Sequence, residues 1–407
     1  MSTATLESPT RATPLPPRDR DTAPPAPGKL TERLLSLDAY RGFIMALLIC
    51  NGLGLGVFKD DATWGWLARQ VDHVKWEGCV FWDLIQPSFM FMVGVAMPFA
   101  FAKRRAAGAS WREQFTHTLA RALGLIFLGI ALDCITGGQI SLGLMRVLQQ
   151  IALGYVLTFL LLDRTWQTQL AAALLLLTGY TLAWMYYPGN DPQGAWVMSH
   201  QNLGGDFDQW LFSRQSTGYY VVLNFIPATA TILFGVVCGR LVGSDWPRRK
   251  VLGTLLLAGL AGLALGLALS PTVPLIKRIW TASFTLYAGG WTVLFLGLFY
   301  WLIEVQAWRR WPTFLVVVGM NSIFAYTMAQ VFRASFFDRA IMVFSKPLAL
   351  ALLDPHHFPQ AFSKPASALA WPPPFEQWGF VLQATLVLAA EWGVLYWLYR
   401  RKIFFKL

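Results

Sequence analysis

The chain has 407 residues, of which 55% are hydrophobic and only 14% charged, with 29 Phe, 19 Trp and 12 Tyr. An ordinary soluble domain is about half apolar and about a quarter charged, so these figures exclude a disordered chain and argue against a soluble enzyme; the four Cys exclude a disulfide-built secreted fold. A net charge of +11 would suggest a nucleic-acid partner in a soluble protein, but here the basic residues cluster between long apolar runs, which is the pattern of membrane orientation and not of a nucleic-acid surface.

Residues 1–29 are rich in Pro, Thr, Ala and charge and cannot bury enough surface to fold. The expected organisation is therefore a disordered Pro-rich cytoplasmic tail over 1–30 and a single transmembrane domain over 31–407. No apolar core precedes Leu34, so no signal peptide is expected. Ten apolar runs follow, at 40–58, 80–101, 119–134, 144–162, 170–187, 221–241, 251–269, 280–303, 314–332 and 378–399. Each is near the ~20 residues that cross a hydrocarbon core as a helix. The expected fold is an all-α polytopic bundle of about ten transmembrane helices.

With ten spans, Lys103, Arg104, Arg105 and Arg112, then Arg240, Arg248, Arg249 and Lys250, then Arg309 and Arg310, then Arg400, Arg401 and Lys402 all fall on one side. Basic loops mark the cytoplasm, so both termini are placed there, and short loops suggest a bacterial inner membrane. The longer loops 59–79, 188–220 and 333–377 fall outside. The last of these has room for a re-entrant piece around 340–353, and Trp371-Pro372-Pro373-Pro374 reads as a stiff segment before the tenth span.

Ionisable groups near membrane depth are costly and mark candidate sites. In Ser36-Leu37-Asp38-Ala39-Tyr40-Arg41-Gly42, Asp38 and Arg41 are spaced to pair on a helix start. That suits a donor-binding role or a plain helix cap. In Asp72-His73-Val74-Lys75-Trp76-Glu77-Gly78, a helix would put His73, Trp76 and Glu77 on one face, with Asp83 deeper by about two turns. A carboxylate beside an imidazole fixes its tautomer and raises its basicity, as a general base or nucleophile requires. The same spacing also suits an interfacial His beside a Trp belt residue. Arg146, Gln149, Lys277 and Asn321 recur near span ends, and Glu391 lies well inside the tenth span, where a structural ion pair with an inward-pointing Arg is the expected reading. His356-His357 sit in a loop; no HExxH, CxxC, Walker loop or GxSxG occurs, and no metal site is expected.

The ordered set of motifs resembles the heparan-α-glucosaminide N-acetyltransferase family. Ser36-Leu37-Asp38-Ala39-Tyr40-Arg41-Gly42 is similar to that family's S-[LV]-D-x-x-R-G opening. His73-x-x-Trp76-x-Gly78 followed by Asp83-Leu84-Ile85-Gln86-Pro87-Ser88-Phe89 is similar to its H-x-x-W-x-G and D-L-x-x-P-x-F block. The likeness continues in Val147-Leu148-Gln149, Gly204-Gly205-Asp206-Phe207-Asp208, Lys277-Arg278-Ile279-Trp280-Thr281, Gly319-Met320-Asn321 and Tyr399-Arg400-Arg401-Lys402. It implies a membrane acyltransferase that takes acetyl from cytoplasmic acetyl-CoA and gives it to an extracytoplasmic sugar or glycan. It maps the family's essential His onto His73. The expected catalytic group is His73, Asp83, Glu77 and Asn321, with Asn321 as a donor to the developing oxyanion. The expected donor-binding group is Asp38, Arg41, Trp76, Arg146, Gln149, Lys277 and Trp280. The lipid bilayer and a possible homodimer complete the expected partners.

The sequence departs from the family pattern in three places. Glu77 stands where the family has Asn, the basic residue beside Val147-Leu148-Gln149 is Arg146 and not the one at position 150, and the loop 333–377 is long. A secondary transporter of a small envelope metabolite is the alternative reading, since it too would have about ten spans.

Overall fold

In lipid every backbone N–H and C=O must find its partner within the segment, so long apolar runs fold as helices. The computed structural model describes residue 30 and residues 34–353, 363–371 and 375–405. The expected tail 1–29, the His356-His357 pair and Pro372 to Pro374 lie outside the described residues. Among those described, the elements are all helical: α1 (Leu35–Cys50), α2 (Gly65–Gln70), α3 (Ile85–Ala106), α4 (Trp111–Gly137), α5 (Val147–Leu161), α6 (Trp166–Met185), α7 (Leu203–Phe212), α8 (Phe225–Val242), α9 (Arg248–Leu269), α10 (Ala282–Tyr300), α11 (Thr313–Met320), α12 (Ser322–Val331), α13 (Asp338–Leu353) and α14 (Glu376–Arg400). The only strand-like pairing described is an isolated antiparallel bridge, Glu77 to Ile276.

Each of the ten expected runs falls on helix. Eight helical stretches are long and apolar enough to cross a bilayer, and α11 with α12 makes a ninth, bent by 78° at Asn321. The expected fourth run is the 15-residue α5, shorter than a full crossing. The protein is thus an integral membrane protein with eight to nine candidate spans. The expected re-entrant piece at 340–353 lies within the helix α13.

Small residues let the central helices approach closely, since lipid tails give apolar helices little reason to associate other than packing. A Cβ on Gly94 of α3 would stand 1.9 Å from the Ile232 carbonyl oxygen of α8, and one on Gly42 of α1 would stand 1.8 Å from that of Leu315 in α11. The glycine that closes the Ser36–Gly42 motif is therefore a packing residue. Beyond Cys50, α1 breaks: Asn51, Gly52, Leu53 and Gly54 all take left-handed φ. This frees the Ile49 carbonyl, which accepts from Arg333 Nη1.

The helix ends sort into two groups. At one end Arg105 pairs with Asp163, Arg240 donates to the Leu162 and Arg164 carbonyls, and Arg248 donates to the Glu304 carbonyl. The Glu304 carboxylate there accepts from the Ser36 amide at 3.3 Å and faces Arg309 at 3.9 Å. The basic loops thus gather at the end where α1 begins. At the opposite end the segments 59–84, 138–146, 186–224 and 270–281 meet, held by Trp76 Nε1 to the Trp196 carbonyl (2.7 Å) and Arg214 Nη1 to Ser141 Oγ (2.9 Å).

Candidate active site

His73 lies in that second group of loops, on a non-helical stretch that spans residues 71–80. The stretch is extended because it pairs with the segment before α10: the Gly78 amide donates to the Leu275 carbonyl at 2.8 Å, beside the bridge of Glu77 to Ile276. The segment before α10 is itself fixed. Thr281 Oγ1 donates to the Pro274 carbonyl at 2.7 Å and accepts the Ile276 amide at 3.1 Å, and Trp280 adopts φ 51° to make the turn. A fully buried Trp in the left-handed region is strained, and its indole nitrogen has no partner.

Together these two segments set a three-residue cluster. His73 Nδ1 is 2.7 Å from Asp83 Oδ1, Lys277 Nζ is 3.2 Å from the same oxygen, and Lys277 Nζ is 3.3 Å from His73 Nδ1. Asp83 Oδ2 accepts the amides of Val80 (3.3 Å) and Val74 (3.4 Å). The Asp83 side chain is 2% exposed and that of Lys277 8%, whereas that of His73 is 44% exposed. The shortest contact decides the tautomer: Nδ1 carries the proton and donates to Asp83, Lys277 donates to Asp83, and Nε2 keeps its lone pair. Among the described residues Nε2 has no protein partner. Burial pushes the Lys277 ammonium below its ordinary range, and the Asp83 carboxylate acts against that. The neighbouring Cys79 thiol is pushed up to about 12 by burial, so it is not a ready thiolate.

A cavity of about 480 Å³ opens at Gln86 in the first turn of α3, three positions beyond Asp83. Asp133, Arg146, Arg214, Tyr220, Tyr326 and Gln330 line it. Arg146 is tied to Asp133, to Thr136 Oγ1 at 2.7 Å and to Gln330 Oε1 at 3.4 Å, so its charge is balanced. Arg214 is exposed and meets only the Ser141 hydroxyl among the described residues. Tyr220 lies under Arg278, 5.4 Å from its ring centre, within electrostatic range of Asp83. Beside it runs an aromatic row: Trp76 meets Tyr219 edge-on at 5.9 Å and Tyr219 stacks on His200 at 4.3 Å.

A sequence model of the family described as heparan-alpha-glucosaminide N-acetyltransferase, catalytic, matches residues 33–266, more than half of the chain. The protein belongs to the heparan-α-glucosaminide N-acetyltransferase family. No curated protein matches the chain. The family is one of membrane-embedded acetyltransferases that draw on acetyl-CoA and act on glycan amines. The matched stretch contains His73 and Asp83; Lys277 lies beyond it.

Within this member of the acetyltransferase family the expected site residues divide. His73, Asp83 and Lys277 come together, and Arg146 lines the cavity at Gln86. Glu77 does not join His73: the helical spacing assumed for it is absent, and its side chain is exposed with no hydrogen bond or ion pair among the described residues. Trp76 spends its indole N–H on Trp196, and Gln149 is fully buried, its amide donating to the Gly143 carbonyl at 3.3 Å. Asn321 has both ends of its amide engaged by the C-terminal segment, at the Ile403 carbonyl and the Phe405 amide, each at 3.0 Å. Asp38 and Arg41 pair at 3.8 Å on the first turns of α1, at the end where the basic loops gather. The lysine reaches the cluster across 204 positions, so no local spacing in the sequence shows this contact; its signals there are a cation beside an apolar run and its place in the Lys277–Thr281 motif, read as donor-binding.

Proposed function

We propose that this protein moves an acetyl group from acetyl-CoA, which enters from the cytoplasm, to an amino sugar or glycan on the opposite side of the membrane. What supports this most is the His73 imidazole: its Nδ1 is held by a buried carboxylate and its exposed ring leaves Nε2 without a partner among the described residues, while a cavity opens at Gln86, three positions from Asp83. Nε2 accepts the proton of the acceptor amine as the amine nitrogen attacks the acetyl carbonyl. The carbon–sulfur bond breaks, and the proton passes to the departing thiolate to give CoA. Asp83 keeps the ring in the right tautomer and stabilises its transient cation. The acceptor occupies the cavity between Gln86, Arg146, Arg214 and Tyr220.

The positive-inside pattern supports this orientation, because it puts both termini and the basic loops in the cytoplasm and His73 outside. A hollow of about 810 Å³ at the basic end, lined by Trp308, Arg309, Arg310 and Trp311, offers stacking and charge for a nucleotide diphosphate. By this reading Asp38 and Arg41 serve the donor at the same end, and Asn321 holds the C-terminal segment against the bundle. The assignment to a bacterial inner membrane is part of the same reading.

Sided proteoliposomes test it. With acetyl-CoA supplied to the side of the termini and glucosamine to the other, thiol release should depend on the amino sugar and acetylated sugar should accumulate opposite the donor. Thiol release without an acceptor requirement, or transport of intact sugar without acetylation, would instead favour a hydrolase or a transporter.

A further inference from the structure

Lys277 has no counterpart in a simple carboxylate–imidazole pair. A buried carboxylate with an imidazole as its only charged partner strongly favours the imidazolium, since each charge stabilises the other. A base locked as a cation cannot take a proton from an amine. Here Asp83 Oδ1 is shared: it accepts His73 Nδ1–H at 2.7 Å and the Lys277 ammonium at 3.2 Å, with that ammonium also 3.3 Å from Nδ1. With a neutral ring, the three groups sum to zero charge. With an imidazolium they carry one net positive charge, two cations against one anion in a place where Asp83 and Lys277 are nearly excluded from water. The backbone enforces this arrangement, because the Gly78–Leu275 hydrogen bond and the Thr281 bonds fix where Lys277 stands relative to His73.

We propose that Lys277 is a positioning residue that offsets the Asp83 charge, so that His73 rests as a neutral base and gives up its proton readily once it has taken it. This rests on the reading of His73 as the acetyl-transfer base. Lys277 itself touches neither acetyl group nor acceptor in that account. The other charged or titratable groups around the ring are Asp72, whose Oδ1 accepts the His73 amide at 2.8 Å and which is already paired with Lys59, and then Cys79, Arg278 and Tyr220 around Lys277 and Asp83. None of these places a second cation against Nδ1.

The test is the pH profile of kcat/KM for glucosamine acetylation by the purified full-length protein, for wild type, Lys277→Met, Lys277→Gln and Lys277→Arg. Loss of the ammonium should move the acid limb upward by about 1–3 pH units, the range expected for removing a like charge at this distance. Activity at pH 6 should fall at least about tenfold and recover in part at pH 9, while the arginine variant keeps the wild-type limb. A profile lowered evenly, with its limb in place, would overturn the proposal and leave Lys277 a structural residue. The rate of His73 modification by diethylpyrocarbonate against pH, read by peptide mass, follows the same titration without turnover. An unmoved midpoint in the neutral variants overturns the proposal, and an upward shift supports it. If wild type shows no acceptor-dependent acetylation while the modification midpoint still shifts, the functional reading fails and the charge offset stands.

Discussion

Among the described residues two buried ion pairs invite comparison, and they differ in one respect. Glu391 in α14 is fully buried against Arg333 at 3.3 Å, and Arg333 also donates to the carbonyl freed by the break in α1. That pair is shut away from solvent, with Arg333 Nε and Glu391 Oε1 left without a partner among the described residues. Asp83 and Lys277 are nearly as buried, yet their third member, His73, is 44% exposed. Charge burial is therefore common to a structural tie and to a candidate catalytic site. What separates them is an exposed imidazole whose Nε2 has no partner among the described residues.

Substitutions sharpen this contrast. The largest effect is expected at the closed pair: Glu391→Gln strands the Arg333 charge and should cost about 3–5 kcal/mol of stability, read as a lower melting temperature in detergent, while turnover per folded molecule stays near wild type. A catalytic deficit per folded molecule would break the comparison. At the open cluster the balance reverses. Asp83→Asn should lower kcat by about 10²-fold, with the acceptor KM little changed, because it removes the group that fixes the His73 tautomer. Smaller again is Arg214→Ala, which should raise the acceptor KM about tenfold at unchanged kcat, the loss of roughly one hydrogen bond to a charged group.

A separate effect is a pH slope. Burial pushes the Asp208 carboxyl in α7 up to about 7. A carboxyl whose pKa is raised on folding binds its proton more tightly in the folded state, so stability is lost as pH climbs from about 4 through about 7. Asp208→Asn keeps an acceptor for the Val222 amide and removes this slope. The variant should melt above wild type at pH 8, with the gap shrinking at pH 5.

The course of the chain through the membrane is legible in its apolar runs, because backbone satisfaction in lipid leaves little choice but helix. The pairing of His73 with Asp83 is legible as well, since both belong to one short motif. Glu77 misleads because the face it would share with His73 exists only on a helix, and pairing with Ile276 makes that stretch extended. Lys277 is singled out in the sequence, but for donor binding; its contact with His73 and Asp83 is not legible because contact across 204 positions leaves no periodic trace. Asn321 has a motif that suggests chemistry, yet folding of the C-terminal segment onto it uses both ends of its amide, a long-range event that local spacing does not encode.

The most direct measurement compares thiol release from acetyl-CoA by purified wild type and His73→Ala, with and without glucosamine. The account predicts acceptor-dependent release by wild type and a loss of about 10²–10⁴-fold in the variant, at an unchanged melting temperature. Release by His73→Ala at the wild-type rate would contradict it.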